Sequence, residues 1–110
     1  MDQRLSQEQY VRQVLEAYRK TPGTMGTIRR ADRMVAARLY QRGLAVKVIE
    51  NALVLAATRR MARPADGPPL SLVRSLAYFL PVIEEVLELP VSPDYFEYLR
   101  HKLARAGSTR

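Results

Sequence analysis

The sequence predicts an all-α single domain: a bundle of about five helices, with a helix-turn-helix-like hairpin and a central apolar third helix. Three observations carry this. Five stretches repeat apolar residues at helical spacing, and none reads convincingly as a strand. Turn-forming residues separate the stretches: Thr21-Pro22-Gly23, Gly43, the Pro64–Pro69 run and Pro90. A chain of 110 residues suits one core and leaves little for a second. The expected layout is a flexible 1–5, a helical domain over 6–103 and a flexible tail over 104–110.

The first helix is expected over Ser6 to Lys20. Ser6 and Gln9 form a capping box, in which each side chain can satisfy the other residue's free backbone donor. Tyr10, Val11, Val14, Leu15 and Tyr18 then share one face.

The second is expected over Ile28 to Arg42. At 100° per residue, Ile28, Ala31, Val35 and Leu39 fall within an arc of roughly 80°. Gly43 follows, well placed as a left-handed residue closing the helix.

The third, from Leu44 or Ala45 to Ala62, is apolar round more than half of its circumference. Such a helix is normally central, with neighbours on several sides. Lys47, Asn51, Val54 and Thr58 form its remaining strip. Arg59, Arg60 and Arg63 close it, where cations suit the negative end of the helix dipole.

The fourth is expected over Leu70 to Leu89, with Ser71 as N-cap. A kink belongs near Phe79 to Pro81, because proline removes a backbone donor and clashes one turn back. Pro90-Val91 ends it. Ser92-Pro93-Asp94 opens the fifth, with Ser92 as N-cap and Pro93 at the first helical position. Tyr95, Phe96, Leu99 and Leu103 give that helix an apolar side.

Composition narrows the function. The chain has no cysteine, so a disulfide framework, a thiolate metal site and a cysteine nucleophile are all excluded. His101 is the sole histidine, between Arg100 and Lys102, and reads as a surface residue. Glu84, Glu85 and Glu88 lack the histidine partner of carboxylate metal sites, and read as a solvated acidic face, with pairing to the arginine patch within a dimer as its other use. No glycine-rich phosphate loop occurs. The expectation is a protein without enzymatic activity, cofactor or metal. No apolar run approaches the roughly 18 residues of a membrane span, and Met1-Asp2-Gln3-Arg4 does not open a signal peptide. A cytoplasmic location is therefore expected.

Charge is unevenly placed. The chain carries 18 Lys+Arg against 11 Asp+Glu, a net +7. Between Arg19 and Arg63 eleven basic residues face only Asp32 and Glu50, a net +9. From Ser75 onward the balance is −1, four basic against five acidic. Fifteen of the eighteen basic residues are arginine, whose planar fork suits phosphate and guanine better than lysine does. A localised positive field attracts polyanions.

The run Ala37 to Leu53 resembles a helix-turn-helix, with Gly43 at the turn and Ile49 packing the second helix on the first. As a reader it would use Lys47 and Asn51; the other reading of the run is a helical hairpin in the core. A second basic site is more accessible. If the second and third helices pack antiparallel across Gly43, Arg29, Arg30 and Arg33 meet Arg59, Arg60 and Arg63 in one patch. Phosphate contact there needs only charge and forks. Tyr78, Phe79, Tyr95, Phe96 and Tyr98 read as core or interface residues, with base stacking as their other use.

Three runs, Ala37 to Gly43, Val48 to Leu53 and Arg74-Ser75-Leu76-Ala77-Tyr78-Phe79-Leu80, together resemble helical modules of plasmid and mobile-element replication proteins, including DnaD-type domains. They also resemble a group of uncharacterised short bacterial proteins. The first resemblance implies an accessory DNA-binding or initiator-loading role. The expected function is nucleic-acid binding, DNA favoured, through the arginine patch. The alternative is a protein-interaction module, with an acidic protein or a second copy of the chain as partner.

Overall fold

The computed structural model describes residues 5–63, 66–68, 70–88 and 92–108. It is an all-α bundle of five α-helices and one short 3-10 turn. The Pro64, Ala65 and Pro69 part of the expected loop, the Pro90-Val91 stop and the first four residues lie outside the described residues.

α1 (Gln7–Lys20) starts at the capping box: Ser6 Oγ accepts from the Gln9 N–H at 3.1 Å, and Gln9 Oε1 accepts from the Ser6 N–H at 3.0 Å. Tyr10, Val14, Leu15 and Tyr18 are buried, with Val11 half-buried beside them. Thr21 ends the helix.

α2 (Arg30–Gln41) buries a different face from the one expected. Asp32, Ala36 and Leu39 are the buried residues, and Ala31 is exposed. The helix is rotated by roughly 60° about its axis relative to the apolar arc. The cause is Asp32. Its Oδ2 accepts from the Arg29 N–H at 2.9 Å, and its Oδ1 accepts from the Leu76 N–H at 2.9 Å. A carboxylate that closes two helix starts belongs inside, which periodicity of apolar residues does not reveal.

Gly43, at φ +76°, closes α2 in a Schellman turn. The Gly43 N–H donates to Tyr40 O at 2.9 Å and the Leu44 N–H to Leu39 O at 3.3 Å. α3 (Val46–Met61) follows and is central, packed against α1, α4 (Leu80–Glu88), α5 (Pro93–Ser108) and the 3-10 turn (Leu76–Phe79). Its Ile49, Ala52, Leu53 and Ala56 enter the main core, while Leu55 meets Phe96 and Leu99 of α5 in a second cluster.

Two expectations fail. Among the described residues, α2 and α3 do not pack along their lengths; α2 lies against α1 and the 3-10 turn instead. The two helices still share the main core, into which Ala36 and Leu39 of α2 and Ile49 of α3 all enter. Nor does one helix run from Leu70. Residues up to Ser75 are not helical, because Val73 bridges to Thr24: the Val73 N–H donates to Gly23 O at 2.7 Å, and Val73 O accepts from the Met25 N–H at 2.9 Å. Ser71 therefore caps no helix, and its carbonyl accepts from Arg60. The break near Pro81 is present, as the junction of the 3-10 turn with α4. Pro81 is the second residue of α4, where a missing N–H costs no helical bond.

α5 starts as the sequence indicates, with Ser92 Oγ accepting from the Asp94 N–H at 3.1 Å. It continues to Ser108, past the Leu103 where its apolar pattern ends. No helix among the described residues is long and apolar enough to cross a membrane.

Candidate nucleic-acid interface

The C-terminus of α3 and the first turn of α2 are both tied to the 71–78 segment: Arg60 donates to Ser71 O and the Tyr78 hydroxyl, and Asp32 accepts from the Leu76 N–H. The Gly23–Met25 loop joins them. It bridges to Val73, and Gly23 lies against the Arg60 side chain: a Cβ built there would stand 3.2 Å from Arg60 Nε. Gly23 adopts φ +90°, so any side chain would be strained there as well as crowded.

Each arginine of the α3 terminus has a defined position. The Arg59 fork is ion-paired with Glu85 of α4, its Nη1 donating at 2.8 Å and its Nη2 donating to the other oxygen. The hydrogen bond from Arg59 holds the Glu85 carboxyl below the usual carboxylate range, against a smaller opposing effect of burial. Arg60 donates from Nη2 to Ser71 O at 2.7 Å and from Nη1 to the Tyr78 hydroxyl at 3.2 Å. Its guanidinium carbon lies 5.8 Å from the Tyr78 ring centroid, within cation–π range. Arg63 donates to Pro68 O at 2.6 Å.

Arg60 and Arg63 are thus oriented by neutral carbonyls rather than by carboxylates. A bond to a carbonyl fixes a guanidinium without cancelling it, and leaves other N–H groups for an anion. Together with Ala56, Arg59, Leu70, Tyr78 and Val82 they line a concavity of about 300 Å³.

The other expected residues distribute as follows. Arg29 and Arg30 are exposed at the α2 start. Arg33 lines a separate groove of about 760 Å³ between α1 and α2, with Arg12 and Arg19. Lys47 is exposed in the first turn of α3, at the far end of that helix from Arg60. Asn51 is half-buried and accepts from Arg100 of α5, so its amide is already engaged. Among the described residues, no carboxylate pairs with Arg29, Arg30, Arg33, Lys47, Arg60 or Arg63.

Sequence reasoning missed Arg74 here, and did not separate Tyr78 from the buried aromatics. Arg74 is exposed beside the Val73 bridge, in a segment expected to be helical. Tyr78 is 49% exposed on the 3-10 turn, while its neighbours Leu76 and Phe79 are fully buried. The aromatic group divides in the same way: Phe79 and Phe96 are core, and Tyr78, Tyr95 and Tyr98 are exposed.

Two acidic residues of α4 pair with arginines of the same chain at its surface. Glu84 takes both Arg42 Nη atoms at 2.5 and 3.0 Å, and Glu85 takes Arg59. The pairing with arginine expected between copies is thus made within one. No group of three metal-ligating side chains gathers among the described residues. His101 is exposed, 3.6 Å from Glu97.

No family model, curated protein or solved structure matches the chain.

Proposed function

We propose that the protein binds nucleic acid without enzymatic activity, through phosphate contacts at the end of the bundle that carries Arg59, Arg60 and Arg63. The observation that carries this reading is the pair Arg60 and Arg63. Both are held by backbone carbonyls, and among the described residues no carboxylate pairs with either. Arg29, Arg30 and Arg74 are exposed as well and add to the basic field that a polyanion would meet.

The contacts in this reading are to phosphate, so binding is independent of base sequence. A recognition helix does not enter it, since α3 is enclosed by its neighbours and Asn51 is engaged with Arg100. Such binding suits a cytoplasmic accessory protein, in line with the role in mobile-element replication that the resemblance implies. The α1–α2 groove favours a second reading, a protein-interaction module. Its wall includes the apolar Val11, Leu15, Ile28 and Ala37, edged by the pairs Glu8–Arg12 and Glu16–Arg19. Those alternating charges would complement a second copy laid antiparallel.

The test is titration of labelled duplex and single-stranded DNA across a salt series. The wild type is expected to lose affinity steeply as salt rises. A double variant, Arg60→Gln with Arg63→Gln, is expected to reduce the log–log salt slope by about 1.5, two contacts fewer. Absence of binding at low salt, or binding without a salt slope, overturns the reading. A dimer by light scattering in that case supports the second.

A further inference from the structure

We propose that this surface takes single-stranded rather than duplex nucleic acid, with an unpaired base stacked on the ring of Tyr78. The proposal rests on the nucleic-acid reading above and adds the ligand class.

Tyr78 is presented by a rigid turn. Leu76 and Phe79 pin both ends of the 3-10 turn in the core, and Asp32 holds its first N–H. The ring nevertheless leaves about half of its surface in water. Phe79 meets it edge-on at 5.2 Å, and Arg60 steadies its hydroxyl. An aromatic ring fixed in this way loses little conformational freedom when it stacks, and a base offers the flat partner.

The charge beside it fits the rest of a nucleotide. Arg60 and Arg63 stand at the same concavity with their charge uncancelled, so a backbone phosphate and its base can be met together. In a duplex the bases are stacked on one another and only their edges face the grooves. A ring that stacks therefore selects unpaired strands, whereas phosphate contacts alone do not. The shared chemistry of base and phosphate serves DNA and RNA alike.

The chain contains no tryptophan, so Tyr78→Trp installs a single reporter at the stacking position. The variant is titrated with single-stranded DNA, single-stranded RNA, a DNA duplex and inorganic polyphosphate, with binding followed by salt-dependent displacement of a labelled strand. Quenching of the tryptophan by the single strands, and not by duplex or polyphosphate, is the expected result. Tyr78→Ala is expected to weaken single-strand binding about tenfold, with Tyr78→Phe near wild type because the ring remains. Quenching by only one of the two single strands identifies the natural one and supports the proposal. Bound single strands with unchanged emission, or equal losses for duplex and single strand in Tyr78→Ala, overturn it and leave the phosphate reading standing. Binding of no strand overturns both.

Discussion

Asp32 is 1% exposed, and both of its oxygens accept backbone protons. One bond closes the first turn of α2, and the other anchors Leu76 at the start of the 3-10 turn, 44 residues on. A buried carboxylate is costly to keep, so its bonds must be complete. Asp32→Ala would leave the buried Leu76 N–H and the Arg29 N–H without their acceptor. The expected cost is about 3 kcal/mol, since each orphaned donor costs about 1–3 kcal/mol. Asp32→Asn keeps one carbonyl oxygen and is expected to cost less. Urea midpoints of the three proteins check this, and an unchanged midpoint in Asp32→Ala would show that the bonds carry no net stability. The same residue orients the proposed binding surface, because the turn it anchors presents Tyr78.

At the scale of elements, α4 is tied to the bundle by two long-range forks, Glu84 to Arg42 of the α2 cap and Glu85 to Arg59 of α3. The hydrogen bond from each arginine, reinforced by its charge, holds both carboxyls below their ordinary value near 4.5, against a smaller opposing effect of burial. A depressed folded pKa contributes stability above the unfolded value, lost as pH falls through the folded one. Wild-type stability should therefore decline below pH 4.5. A Glu84→Gln, Glu85→Gln double variant should decline less steeply over that window. Denaturation midpoints against pH read this directly, and equal slopes would mean that the forks are formed to the same extent in the unfolded chain. These ties also mark what the sequence leaves unreadable. Ser6 with Gln9, Gly43, and Ser92 with Pro93 announce helix ends by local chemistry, so the helices could be placed from the sequence. The extended run to Ser75 could not, because Val73 is held by Gly23 and Met25 nearly fifty residues earlier. The burial of Asp32 is likewise decided by Leu76, not by the helix that carries it. In the candidate site, the arginines stand out by clustering. That Arg59 is ion-paired while Arg60 is not depends on a glutamate 26 residues away, beyond any local pattern.

At the scale of the molecule, the fold brings the acidic half of the chain back onto the basic half. The net +9 between Arg19 and Arg63 is thus partly offset where α4 meets Arg42 and Arg59. A polyanion at the α3 terminus must compete with Glu85 for the Arg59 fork. Glu85→Gln removes that competitor and leaves Arg59 able to take a phosphate. Affinity for single-stranded DNA at low salt is expected to rise several-fold, and the salt slope to steepen by about 0.7, the value for one added contact on a single strand. Glu84→Gln changes the net charge equally but releases Arg42, at the opposite end of α2 from Arg29. It raises the general field without supplying a contact, so its slope should match the wild type. Measuring both variants against the same strand separates local competition from overall charge. Equal slopes in the two would place Arg59 outside the bound surface, and would reduce the site to Arg60, Arg63 and the exposed arginines of the α2 start.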